Sequence, residues 1–228
     1  MPADFPPEPW LLRGDMYASL WWLPVRSLPR WPLPSEVRPL VVAGRCVLVT
    51  FWVDYQPGGT LTYRELLVAL VVRHRRSVAG TAVAVWVDDE RSLAGGRALW
   101  GIPKELGSLT VAPARSAGRK AGQVRLGLST GSPGHDTAGV RGVYRDLVRL
   151  PGRIRVRGRL VQRHDPGEPR QVPLRVTGSP ALGRVRLAAA GAGPLAVING
   201  RRPFLTVSLR DFRFAVGRTG RADGETDT

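Results

Sequence analysis

The chain has 228 residues, 43% of them hydrophobic, enough to build a real core as one large domain or two small ones. Its single cysteine, Cys46, excludes an internal disulfide and a cysteine-rich metal site, and its longest apolar run, 66–72, is strand-sized and too short to span a bilayer. The formal net charge is +16, yet the arginines are spread along the chain rather than gathered in a tail, so nucleic acid is not the expected partner. No basic segment followed by an apolar stretch opens the sequence, and a cytoplasmic protein without a membrane partner is expected.

Taken in order, residues 1–16 are proline-rich and read as extended. Residues 17–23 are rich in aromatics and read as a strand. Pro24, Pro29, Pro32 and Pro34 then break the chain, with Trp31 among them to pack on the core. Residues 46–54 are β-rich and 56–60 form a turn. The apolar run 61–73 has the length of a helix, but Val68, Val71 and Val72 favour a strand. Residues 81–87 alternate as a strand and end at Asp88-Asp89-Glu90, a helix start. A helix is predicted over 89–99, weakened by Gly95 and Gly96. Pro103 lies outside it, so Lys104 falls in a loop or turn that leads to the next strand.

Further strands are predicted at 123–128, 153–161, 171–176, 183–189 and 205–216. Within the second of these, Arg153, Arg155, Arg157 and Arg159 share one face, either solvated or turned to another subunit. The tail from 218 to 228 is polar and reads as disordered, leaving 1–217 as a single domain.

Of the 34 basic residues, only Lys104 and Lys120 are lysine. Wherever a positive charge suffices, this chain has arginine. Guanidinium cannot give up its proton in a protein, so a retained lysine points to amine chemistry, with an ordinary surface lysine as the equal alternative. Lys120 sits in the polar stretch Ser116-Ala117-Gly118-Arg119-Lys120, whereas Lys104 sits among Trp100, Ile102, Pro103 and Leu106. His74, His135 and His164 lack metal-ligand spacing, and there is no phosphate-binding or dinucleotide fingerprint, so no metal or organic cofactor is expected.

The segment Gly96-Arg97-Ala98-Leu99-Trp100-Gly101-Ile102-Pro103-Lys104-Glu105-Leu106-Gly107 resembles the reactive-lysine segment of the acetoacetate decarboxylase family. Upstream, Tyr63-Arg64-Glu65 resembles the Tyr-x-Glu that the family places ahead of an apolar strand, in matching order and spacing. Pro7-Glu8-Pro9-Trp10 and the closing 204–214 segment extend the likeness. The resemblance implies a mainly β fold, an antiparallel β-cone or barrel with a few short helices, often in large homo-oligomers. It implies an enzyme in which Lys104 forms a Schiff base with a small keto-acid substrate and decarboxylates a β-keto acid.

In that reading the attacking amine must be neutral, and apolar walls from Trp100, Ile102, Pro103 and Leu106 disfavour its charged form. Glu65 is the acid–base candidate, while Arg13, Tyr63 and Trp100 are candidates to bind substrate. Glu105 replaces the family's second lysine and is expected to face away from Lys104, because neighbours in extended chain point oppositely. A second family acid has no counterpart in Leu48-Val49-Thr50-Phe51-Trp52. That departure leaves open two alternatives: a Schiff-base aldolase or dehydratase, and a non-catalytic β-barrel that binds small apolar ligands.

Overall fold

The computed structural model describes residues 4–113, 123–130, 137–164, 169–189 and 195–218. Strand β1 spans Trp10–Pro24, β2 Val37–Pro39, β3 Arg45–Tyr55, β4 Tyr63–His74 and β5 Ser77–Val87. The one α-helix among the described residues, α1, spans Glu90–Trp100. It is followed by β6 at Lys104–Leu106, β7 at Ser108–Pro113, β8 at Gln123–Thr130 and β9 at Thr137–Arg149. Strand β10 spans Ile154–Gln162, β11 Arg170–Ala189 and β12 Leu205–Val216.

The hydrogen-bonded order β10-β5-β4-β3-β1-β12-β11 closes on itself because β10 also pairs with β11, giving a seven-stranded barrel. Closure leaves no free edge at that end of the sheet. The first half of β11 pairs with β10, and its second half pairs with β9, which leads on to β8 and β7. A register shift at Thr177/Ser179, against β12, lies between the two halves. The expected strands at 171–176 and 183–189 are therefore one strand that passes from the barrel into its β7–β9 extension. Most pairings are antiparallel as expected, but β5 pairs in parallel with both β10 and β6, so the barrel is mixed.

Two apolar clusters fill this frame. One gathers Trp21, Trp52, Leu48, Tyr144 and Leu126 beneath the β7–β9 extension. The other gathers Trp10, Tyr55, Tyr63, Trp100 and Phe212 at the barrel end. Strand β1 begins at Trp10, earlier than the proline-rich composition implied, because Trp10 to Gly14 pair with the end of β12. The strand predicted at 17–23 is its second half. The run 61–73 is a strand, as its valines favoured. Strands β7 and β9 were not anticipated from the sequence. Lys120, His135 and the tail beyond residue 218 lie outside the described residues. Among the described residues, no helix is long and apolar enough to cross a membrane.

The outer faces of β1, β9 and β12 share a polar network. Arg210 donates to Asp146 at 3.0 Å, to Asp15 at 3.3 Å and to the Tyr17 hydroxyl, and Ser208 donates to Asp146 at 2.7 Å. Burial pushes the Asp146 carboxyl up, but hydrogen bonds from Ser208 and Arg210 outweigh burial and hold it below the usual aspartate range. A lowered folded-state value means that this contribution to stability is present above the unfolded value and is lost as pH falls through the folded one. Asp146→Asn is expected to cost about 2 kcal/mol at neutral pH. In urea titrations the difference from the parent should shrink in acid; equal stability at neutral pH would contradict the role given to this network.

Candidate active site

Lys104 reaches its place through the end of α1. Asp89 caps the helix, its carboxylate accepting from the Ser92 backbone N–H at 2.6 Å. Gly101 closes the helix in the left-handed region, with φ of 65°, and the Gly101 and Ile102 amides donate back to Arg97 and Gly96. The chain then turns along β5 as the short strand β6, with Lys104 opposite Val85. The expected loop is thus extended strand, fixed further by Arg97, whose Nε donates to the Lys104 carbonyl at 2.7 Å.

Glu65 arrives on the other flank of β5. It pairs with Val87 across β4 and β5, and Tyr63 shares its face two residues away. Arg64, between them, is exposed and holds Asp88 and Asp54 outside. Strand β5 therefore separates two flanking positions whose side chains converge on one interior point.

There, Lys104 and Glu65 are only 2% and 4% exposed. Lys104 Nζ donates to Glu65 Oε2 at 2.8 Å and to Ser92 Oγ at 2.8 Å, and lies 3.5 Å from the Tyr63 hydroxyl. Tyr55 and Tyr63 also face the carboxylate, at 3.5 and 3.4 Å, the long limit for hydrogen bonds. Burial first, and the Glu65 charge second, push both phenols well above their ordinary value, so each remains a protonated donor. Nζ also lies 5.1 Å from the Tyr63 ring centre and 5.8 Å from that of Trp10.

Trp10 and Trp100 meet edge to face with centroids 4.7 Å apart. The Trp100 indole N–H is engaged by Glu8 at 2.8 Å, and Glu8 also takes Arg170 at 2.8 Å, clamping the N-terminal segment over the site. The result is one wall of an elongated cavity of about 480 Å³ inside the barrel.

The structure thus brings Lys104, Glu65, Tyr63 and Trp100 together and leaves Arg13 apart. Arg13 is exposed, 3.8 Å from Asp211, whereas Leu12 and Met16 line the cavity. Pro103 and Leu106 are exposed and supply no wall; Trp10, Tyr63, Trp100 and Ile102 surround the amine instead. Glu105 is also exposed, on the side opposite Lys104. Ser92 was missed by sequence reasoning. Its signal is the buried stripe Ser92, Gly95, Gly96 and Trp100, at helical spacing, with a hydroxyl where an apolar side chain would be ordinary.

The acetoacetate decarboxylase family model matches residues 34–146, a stretch that holds Glu65, Ser92 and Lys104. No curated protein matches the chain. In fold it is similar to the enduracididine biosynthesis enzyme MppR complexed with pyruvate, at TM-score 0.64 and 18% identity over 96% of this chain and 91% of that one. MppR complexed with the condensation product of pyruvate and imidazole 4-carboxaldehyde gives TM-score 0.62 and 19% identity over 95% and 90%. The acetoacetate decarboxylase of Legionella pneumophila subsp. pneumophila str. Philadelphia 1 gives TM-score 0.63 and 16% identity over 95% and 90%. The resemblance read from the Lys104 segment is borne out by the family match and by this shared fold.

Gly96 makes room for the lysine stem. A Cβ there would lie 2.6 Å from both Cδ and Cε of Lys104, closer than carbon atoms approach. Gly96→Ala is expected to push Nζ away from Ser92 and Glu65 and to cost about 1–3 kcal/mol through overpacking, despite alanine's better helix propensity. Urea denaturation and a crystal structure of the variant check both effects; an unmoved lysine with raised stability would refute the packing claim.

Proposed function

We propose, for a chain matched by the acetoacetate decarboxylase family model and built on the fold of acetoacetate decarboxylase-like proteins, that Lys104 forms a Schiff base with a β-keto acid and decarboxylates it. The observation that carries this reading is a buried lysine amine with a carboxylate and a hydroxyl each at 2.8 Å, on the wall of a cavity able to admit a substrate. A lysine kept only for charge has no need of this setting, in a chain that otherwise uses arginine almost throughout.

Glu65 takes a proton from Nζ, and the neutral amine attacks the keto carbon while the carbonyl oxygen gains a proton. Loss of water from that carbon leaves a protonated imine. The bond to the carboxylate carbon then breaks, its electron pair moves into the imine, and carbon dioxide departs. The enamine takes a proton at carbon, and water returns the ketone and the free amine. Ser92 and Tyr63 hold Nζ and Glu65 in position throughout, and Trp100 with Trp10 closes the wall. The apolar surroundings favour departure of the carboxylate, because a neutral product leaves a low-dielectric site more readily than an ion stays in it. The reading takes residues 1–217 as one cofactor-free enzyme domain acting in the cytoplasm as a homo-oligomer.

A second reading is aldol addition and dehydration through the same enamine. It is favoured by the room left in the cavity beside a small keto acid, and by the complex of the structurally similar MppR with a condensation product. Product analysis with and without an added aldehyde separates the two.

Borohydride reduction in the presence of acetoacetate should add the mass of the reduced adduct to the parent and nothing to Lys104→Arg. Equal labelling of the variant would remove Lys104 from the chemistry. Glu65→Gln should retain the fold and lower turnover by about 100-fold or more, as expected for loss of a positioned proton carrier. Turnover within a few-fold of the parent would give the carboxylate a purely structural role.

A further inference from the structure

The cavity is far larger than the reacting part of a small keto acid requires. Its 480 Å³ falls in the range that encloses drug-sized ligands. Its lining reaches from Lys104, which pairs with β5 at Val85, to Gly80 and Leu160, which pair five β5 positions away, a span of about 17 Å at strand rise. Beyond Glu65, Lys104 and the two tyrosines, its lining is aliphatic and aromatic. Leu67, Leu174, Val176, Val207, Leu209 and Phe214 belong to it, and Arg159 on β10 adds the remaining full charge among the described lining residues. The outer rim carries Val78, Ile154 and Val156, exposed by 61%, 39% and 50%, so the apolar track continues to the surface. A polar second reactant would leave these walls unmatched and would itself be desolvated without partners.

We infer that the site takes keto acids bearing a long unbranched alkyl chain, with the keto carbon at Lys104 and the chain laid along the β5–β10 side of the barrel toward Val156. The inference rests on the Schiff-base reading for the head of the substrate, while the chain-binding track stands on the lining alone. Each methylene moved from water onto such walls is worth about a four-fold gain in affinity.

The test is a series of β-keto acids from acetoacetate through β-ketohexanoate and β-ketooctanoate to β-ketodecanoate, each trapped with borohydride at limiting concentration. Half-saturation should fall by roughly four-fold per methylene until the cavity is full. In parallel, binding of the matching methyl ketones to Lys104→Ala is followed by tryptophan fluorescence, where no imine can form. Val176→Trp, which narrows the track away from the amine, should abolish the chain-length gain while acetoacetate is still trapped, and that trapping also reports that the variant is folded. A flat series with acetoacetate trapped as well as the decanoate would overturn the inference and leave the Schiff base standing. Chain-dependent ketone binding without trapping of any acid would sustain the track and sink the Schiff base. Absence of both would overturn the two together.

Discussion

An ammonium and a carboxylate held 2.8 Å apart out of water are costly to bury, and the barrel end is organised around that cost. The pair is tolerable because each partner has further contacts: Ser92 on the amine, Tyr55 and Tyr63 on the carboxylate. Those contacts in turn need β3, β4, β5, β6 and α1 to meet at one point. Strand β5 is the spacer, with Glu65 on one flank and Lys104 on the other. The parallel pairing of β6 with β5 matters here, since it returns the chain after α1 alongside the strand that preceded the helix. Without the glycine cap at Gly101, the chain would not turn sharply enough to do so.

The same arrangement links structure to reactivity. Nζ and Glu65 are in direct contact at 2.8 Å, as the proposed proton transfer requires, and the protonated phenols face the same carboxylate. The apolar cavity begins at this polar knot, so the groups proposed to do chemistry and the surface that would supply binding energy are adjacent but distinct. Binding energy from a remote chain is then available to hold the reacting carbon against the amine.

Much of this was legible in the sequence, for identifiable reasons. Lys104 stood out because arginine fills nearly every other basic position, and Glu65 because its spacing from Lys104 follows the family pattern. Strand-like composition gave β3 and β12, alternation gave β5 and β10, and the opposite pointing of neighbours in extended chain gave the outward turn of Glu105. Other features depend on long-range pairing and left no local trace. Arg13 looked like an anion anchor, but its parity in β1 is set by pairing with β12 and β3, which turns Leu12 inward and Arg13 out. Pro103 and Leu106 are near Lys104 in sequence yet exposed, whereas Trp10, from the far end of the chain, forms the wall. Ser92 reads as an ordinary first-turn serine until the chain reverses after Gly101 and brings the amine against it. The single long β11 reads in the sequence as two strands, 171–176 and 183–189; Gly178 and Pro180 lie between them, where β11 passes from pairing with β10 to pairing with β9.

The most direct measurement is exchange of the carbonyl oxygen of a methyl ketone, labelled with oxygen-18, in ordinary water. Reversible imine formation expels that oxygen and returns one from solvent, with no need for decarboxylation. The account predicts rapid loss of label with the parent protein and none above background with Lys104→Arg. Retention of the label by the parent, or equal loss with the variant, would contradict the assignment of Schiff-base chemistry to Lys104.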